Sequence, residues 1–420
     1  MAAIRSLFEI ERPPVVLLAV IASTFFVGFG GGVVFPILPN LGKVMGFSAF
    51  MVGLILSANR FVRLVANAPA GALIDRVGVR RPFVYGLFIE GVATLGYVVA
   101  LFVPPPEAWF LLARVLWGLG SAAVFATATT IAADLSDSGD RGTNMGVVRG
   151  GITMGFPAGL VLGGVISAQY SNAVAFSVAA AFALFASVVA YRYVPETHVE
   201  AGEKESVKPW DIDTSLPALT VGFVNFGLLF AFFGTLFATL VLFLGATDVA
   251  IGGMKPQAAS GVFMAGTVLS ASVFMLVGGR ISDTRESRLP VLVVFIGTFV
   301  AGFLLLSQAT SLLSLAVACV FIGAGQGGTS GPMMALLADL TPDERMGRAT
   351  GTNNVFGDVG GGVGPLISLP LVEQFGFEVV YATSALVPLL AGIVLLVGVK
   401  KETGTMRPGQ TTTDAGRPDA

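Results

Sequence analysis

The chain has one cysteine, Cys319, one histidine, His198, and charge on only 12% of its 420 residues. A lone cysteine leaves no partner for a disulfide within the chain, and beside a lone histidine it excludes a Cys/His metal cluster. Cys319 lies in an apolar stretch and His198 in a polar loop, and ordinary structural places are expected for both. No GxxxxGKS or GxxxxGKT loop occurs, so nothing supports direct use of ATP. Acids, histidines and cysteines nowhere gather into a catalytic constellation, so an enzyme is not expected, nor is a resident cofactor or metal. No nucleic-acid partner is expected either.

What the chain has in quantity is apolar surface: 54% hydrophobic residues, 54 glycines and 33 phenylalanines, with a mean hydropathy of +0.83. That exceeds what globular cores need and marks a polytopic membrane protein. Stretches of about 20 apolar residues, enough to cross a hydrocarbon core of roughly 30 Å, recur between polar breaks. The spans are expected at 14–38, 49–72, 82–103, 109–132, 143–167, 172–194, 216–244, 256–279, 290–308, 311–338, 347–370 and 376–399. The first is too long for a cleaved signal peptide and is expected to be retained.

Positive charge orients such a chain, because loops on the cytoplasmic side keep Lys and Arg. Arg76, Arg80, Arg81, Arg141, Arg192, Lys204, Lys208, Arg280, Arg285, Arg288, Arg345, Arg348, Lys400 and Lys401 fall on one side of this threading, against Lys43 and Lys255 on the other. Both termini are therefore expected in the cytoplasm. The expected divisions are a cytoplasmic N-terminal segment 1–13, a six-helix bundle 14–194, a cytoplasmic central loop 195–215, a second six-helix bundle 216–400 and a disordered cytoplasmic tail 401–420. The central loop is charge-rich and bracketed by Pro195 and Pro209, a composition that cannot bury itself.

The two bundles repeat each other. A shift of 208 positions carries Gly71 onto Gly279, Asp75 onto Asp283, Arg80 onto Arg288 and Pro82 onto Pro290. A shift of 205 carries Gly118 onto Gly323, Asp134 onto Asp339, Gly155 onto Gly360 and Gly159 onto Gly364. Tandem halves of six helices imply a pseudo-two-fold axis along the membrane normal. The expected fold is an all-α integral membrane protein, twelve transmembrane helices in two pseudo-symmetric six-helix bundles.

Several motifs carry a family resemblance over essentially the whole chain. Gly71, Asp75, Arg76, Gly78, Arg80 and Arg81 resemble the signature loop between helices 2 and 3 of the major facilitator superfamily. Leu111 to Ala123, with Arg114, resembles its helix 4 motif, although Trp117 stands where glutamine is common. Gly146, Gly155, Gly159, Gly163 and Gly164 resemble the antiporter motif of helix 5, with Leu160 in place of the usual proline and Pro157 nearby. Phe29 to Pro39 resembles the end of helix 1 in the twelve-helix drug:proton antiporter branch.

The resemblance implies a secondary transporter that moves a small organic compound by alternating access. That superfamily is itself a reference case of parallel repeats with a midplane site between rocking halves. A proton-coupled exporter, multidrug-type or for metabolite efflux, is expected, drawing on the proton gradient and working as a monomer in the plasma membrane. The alternative is a symporter or uniporter that imports a polar or anionic metabolite; a transporter-like sensor and a membrane enzyme are the remaining classes. The resemblance also implies a conformational latch, in which Asp75 holds the start of helix 11 near Gly347. Gly279, Asp283 and Arg288 would repeat it against helix 5 near Thr143.

Away from the span ends, six charged residues fall within the spans: Arg60, Arg63, Glu90, Arg114, Arg149 and Asp358. Each costs several kcal/mol, roughly, if left facing lipid, so they are expected to face a cavity or each other. Arg63 and Glu90 lie at nearly equal distances from the loop apex at Val77, which puts them at similar depth, and a pair between them is expected. Glu90 and Asp358 are the proton-coupling candidates, and the resemblance adds Arg114. Arg60, Arg63, Arg149 and Asn225 are the cavity candidates. Four arginines against two acids suit an anionic or polar substrate. Glycines in spans 5 and 11, with Pro157, Gly360, Gly364 and Pro365, are expected to let helices approach and bend. Of the phenylalanines in span 7, most are expected to face lipid.

Overall fold

The computed structural model describes residues 15–134, 141–196, 212–247, 249, 251–284 and 287–405; the side chains of 132, 133, 141–145, 147 and 149 also lie outside the description. His198 and the Arg149 side chain therefore fall outside the described residues. Twelve helices among the described residues are long and apolar enough to cross a membrane. They are α1 (Val15–Val44), α2 (Ala49–Val77), α3 (Arg80–Ala100), α4 (Pro106–Asp134), α5 (Arg141–Gln169) and α6 (Asn172–Tyr193) in the first half. The second half holds α7 (Leu216–Ala246), α8 (Pro256–Asp283), α9 (Leu289–Ser307), α10 (Leu312–Leu340), α11 (Asp343–Phe375) and α12 (Phe377–Thr403).

Helix ends follow local chemistry. Ser48, Ser171 and Ser311 each accept a hydrogen bond from the backbone N–H three residues on, capping α2, α6 and α10. Gly78 and Gly376 end α2 and α11 at φ of 82° and 80°, a region glycine enters without cost. α2 and α8 run about a turn beyond the expected spans toward the end of the molecule that carries the arginine-rich loops, and α11 begins early there. This is called the basic end below.

Two helices are interrupted. α7 opens into a π-helical segment over Phe230–Phe237 between two α-helical parts, and the Ser368 hydroxyl donates to the Gly234 carbonyl inside it. Such segments are uncommon and recur at functional positions. α12 breaks between Ser384 and Leu386, where Pro388 has no N–H to offer the carbonyl four residues back.

Within the first half α1 packs on α5 and α6, and α4 on α2 and α3; within the second α10 packs on α8 and α9, and α11 on both parts of α7. The halves meet along two seams, α2 with α11 and α5 with α8. The repeat pairs α2 with α8 and α5 with α11, so each seam is the symmetry mate of the other. The expectation that most span 7 phenylalanines face lipid is corrected: Phe223 is exposed, while Phe230, Phe232 and Phe237 are buried. α7 sits against α11 and the end of α1, and those neighbours take its aromatic faces.

Candidate functional site at the α2 and α11 seam

At mid-membrane, Arg60 and Arg63 occupy one face of α2, a turn apart, and both reach across the seam to α11. Arg60 Nη1 donates to Asp358 Oδ1 at 3.2 Å, and Arg63 Nη2 donates to the same oxygen. The three side chains are largely buried. The Arg60 guanidinium also lies 4.3 Å from the ring centre of Phe233, in the π segment of α7, and that of Arg63 lies 5.6 Å from Phe125 on α4. Gly361 makes the approach feasible: a Cβ there would stand 2.9 Å from Arg60 Cζ. Arg63 Nε is buried without a hydrogen-bond partner among the described residues.

The expected pair of Arg63 with Glu90 is not formed. Arg63 is taken by Asp358, and both Glu90 carboxylate oxygens are buried with no hydrogen-bond partner among the described residues. Equal depth places two residues at one height but leaves rotation about each helix axis open. Glu90 points into α4, where a Cβ at Gly120 would meet its side chain at 2.8 Å. Arg63 still lies near enough to act on it electrostatically.

Arg114 is turned away from the seam. Its guanidinium donates to the carbonyls of Ile55 and Leu56 at 3.1 and 2.9 Å and to Asn59 Oδ1 at 2.5 Å, tying α4 to α2. Asn225 donates to the Asn353 carbonyl at 2.9 Å and ties α7 to α11. Both candidates join helices within one half. Among the described residues no group of three His, Cys, Asp or Glu could hold a metal ion.

Toward the far end from the basic loops, the halves are in close contact. A Cβ at Gly53 would meet the Pro365 carbonyl at 2.6 Å, and one at Gly164 or Gly261 would strike the facing helix of the other half. Lys255 donates to the Ala168 carbonyl at 2.7 Å. Phe35, Phe156, Phe233 and Phe237, from α1, α5 and α7, form a mutual cluster with ring centres 5.3–6.0 Å apart. Toward the basic end the contacts cease. Asn67 and Asn354, one turn from Arg63 and Asp358 on the same helix faces, are exposed. Gly71, Gly146, Gly347 and Gly351 have open space where a Cβ would stand. The molecule is thus closed at one end and parted at the other, with the arginine and aspartate cluster at the head of the gap.

The expected latch is accordingly unformed in this conformation. Asp75 is exposed and makes no hydrogen bond or ion pair with a described residue, and Gly347 faces open space. The signature loop is instead pinned within its own half. Glu196 occupies the space beside Gly78 and accepts from the Val79 N–H at 2.7 Å, while Arg80 donates to the Tyr191 carbonyl at 2.7 Å. Arg76 and Arg81 are exposed. In the repeat, Asp283 pairs with Arg288 at 3.4 Å rather than reaching α5. Arg288 also donates to Asp339 at 2.5 Å, and that bond, with the Asp339 charge, raises the arginine above its ordinary range despite partial burial. Gly279 faces open space.

Of the packing glycines, Gly155, Gly159 and Gly163 lie against Phe25, Phe29 and Val33 of α1, and Gly360 and Gly364 against α7. Gly146 has no such neighbour. Pro157 and Pro365 are buried inside their helices.

Comparison with known proteins gives a consistent picture. The model of the Major Facilitator Superfamily matches residues 20–365 and 261–416. The chain is 26% identical over 372 residues to the multi-drug resistance efflux pump PmrA of Streptococcus pneumoniae serotype 4, covering 86% of this chain and 90% of that one. It is 25% identical over 395 residues to multidrug resistance protein 2 of Bacillus subtilis, covering 90% and 92%. The crystal structure of a point mutant of the nucleoside transporter NupG superposes with a TM-score of 0.76 over 91% of this chain and 99% of that one, at 14% identity. At that identity the likeness speaks for the fold.

Proposed function

The chain belongs to the major facilitator superfamily, a family of membrane transporters for small molecules, and on that premise we propose that it is a proton-coupled exporter of a small organic compound. The observation that carries the reading is Glu90, a fully buried carboxyl with no hydrogen-bond partner among the described residues, beside an arginine committed to the opposite half. A carboxyl so enclosed must carry a proton or meet a cation. Arg63 is the cation at hand. When the halves rock and Arg63 leaves Asp358, it becomes free to face Glu90, so the protonation of Glu90 and the position of the seam are linked. The multidrug efflux pumps among its relatives support export as the direction.

The basic end faces the cytoplasm in this reading, which the distribution of Arg and Lys supports, and the conformation is then inward-open. The latch at Asp75 would close when the gap closes and the site opens outward. The proton gradient across the plasma membrane supplies the energy, no cofactor is required, and a single chain suffices.

Purified protein in liposomes with an internal pH dye and an imposed pH gradient tests the reading. A transported compound is expected to move protons across the membrane, and Glu90→Gln to abolish this while binding of the compound survives. Proton movement that persists in Glu90→Gln would remove Glu90 from the coupling path.

A further inference from the structure

We infer that the cargo of this site is an aromatic monoanion, a carboxylate carried on a planar ring, that takes the place of Asp358 on Arg60 and Arg63 and lays its ring on Phe233. The inference rests on the reading above that the chain is an exporter; it places the cargo at the seam and adds its chemical class.

Charge is the first ground. Away from the helix ends, the described Asp, Glu, Lys and Arg side chains within the membrane are Arg60, Arg63, Arg114, Glu90 and Asp358. With both acids ionised the group carries one excess positive charge, and with Glu90 neutral it carries two. Arg114 keeps its own charge, held by the neutral oxygens of Ile55, Leu56 and Asn59, and Arg60 and Arg63, with Asp358 as their one anion, carry one further positive charge that no described side chain at the seam balances. Low dielectric makes an unbalanced charge costly and an entering anion correspondingly welcome.

Hydrogen bonding is the second. Both arginines converge on one oxygen, Asp358 Oδ1, although two guanidinium groups can between them serve both oxygens of a carboxylate. Arg63 Nε is left buried with no acceptor. The present partner therefore under-uses the donors, and a free carboxylate, unconstrained by the α11 backbone, can engage more of them.

Shape is the third. Arg60 stacks on Phe233, which touches Phe35, Phe156 and Phe237 at ring distances of 5.3–6.0 Å. An aromatic body attached to the carboxylate meets rings from three helices and both halves. Exchange follows from the same geometry: the cargo anion and Asp358 compete for the same two guanidinium groups, so loading releases the tie between α2 and α11.

The test is calorimetric binding to the purified full chain, with 1-naphthoate, 1-naphthamide and 1-naphthylmethylammonium as probes of equal ring and different charge. Naphthoate is expected to bind about tenfold or more tighter than the amide, as loss of a charge-assisted pair implies, and the ammonium weakest. Arg60→Gln and Arg63→Gln should weaken naphthoate by a similar factor. Asp358→Asn should strengthen it, because the competitor is gone, an outcome that simple damage to the fold does not produce. Phe233→Leu should weaken naphthoate while leaving the preference for anion over amide. Equal binding of naphthoate and naphthamide, preference for the ammonium, or weaker naphthoate binding in Asp358→Asn would overturn the inference. The pH-dye assay run in parallel separates it from the export reading. Protons moved by the ammonium alone leave export standing and sink the anion; naphthoate bound as expected with no proton movement by any probe does the reverse.

Discussion

Asp358 is the residue on which two buried cations depend. Removing one partner of a buried pair strands the other charge, at a cost of roughly 3–5 kcal/mol. Asp358→Ala is therefore expected to lower the thermal midpoint of the purified protein sharply. The triple replacement Arg60→Met, Arg63→Met and Asp358→Leu should recover most of that stability while losing transport. Thermal unfolding in detergent and liposome flux measure the two separately; a triple variant as unstable as Asp358→Ala would show that the cluster's cost is not one of stranded charge. Glu90 illustrates how far residue-level reading reached. Its exclusion from lipid was legible in the sequence. Its lack of a partner was not, because depth along a helix says nothing of the direction a side chain takes around it.

At the scale of elements, glycines in one motif separate into two kinds. A Cβ at Gly155 or Gly360 would strike the backbone carbonyl of Phe25 or Phe226, whereas one at Gly146 or Gly351 meets nothing within 4 Å. Gly155→Ala and Gly360→Ala should each destabilise by about 1–3 kcal/mol through overpacking, and Gly146→Ala and Gly351→Ala by little. Equal thermal midpoints for all four would contradict the helix contacts described. The glycine repeat was readable in the sequence, but the packed positions were not, since periodicity marks a face without saying what it meets.

The start of α7 offers a prediction in pH. Burial acts upward on Asp213, but the Ser215 N–H donating to its carboxylate at 2.8 Å, with Arg345 and Arg348 nearby, outweighs it and holds the carboxyl below its ordinary value. A depressed folded value stabilises above the unfolded value near pH 4 and loses that contribution as pH falls through the folded one. Asp213→Asn should therefore lower the thermal midpoint at pH 6, and the gap to wild type should narrow as pH falls below the unfolded value. A constant gap across that range would assign the loss to something other than the ionised carboxylate.

For the whole molecule, the conformation itself is testable. Asn67 and Asn354 are exposed in the gap, Ile55 and Leu369 are buried at the closed end, and native Cys319 is 2% exposed. A hydrophilic maleimide is expected to label Asn67→Cys and Asn354→Cys from the basic end and to leave Ile55→Cys, Leu369→Cys and Cys319 unlabelled. Cargo that drives the outward-open state should protect the first pair. Labelling of Ile55→Cys and Leu369→Cys instead, in the absence of cargo, would mean that the resting molecule opens at the other end.

Sequence alone determined what depends on composition and order. Twelve apolar segments must be helices, because a bilayer leaves backbone groups no partner except one another, and tandem motifs must put two halves in parallel. It also confined the chemistry to a few ionisable residues, since charge within a membrane is too costly to be incidental. Tertiary structure decided the pairings. Arg60 and Arg63 meet Asp358 across nearly 300 positions of chain, Glu90 is left alone, α7 opens into a π segment against α11, and the latch stands apart from its mate. Each depends on the rotation and separation of packed helices, which arise from side-chain shape between distant segments and have no local signature.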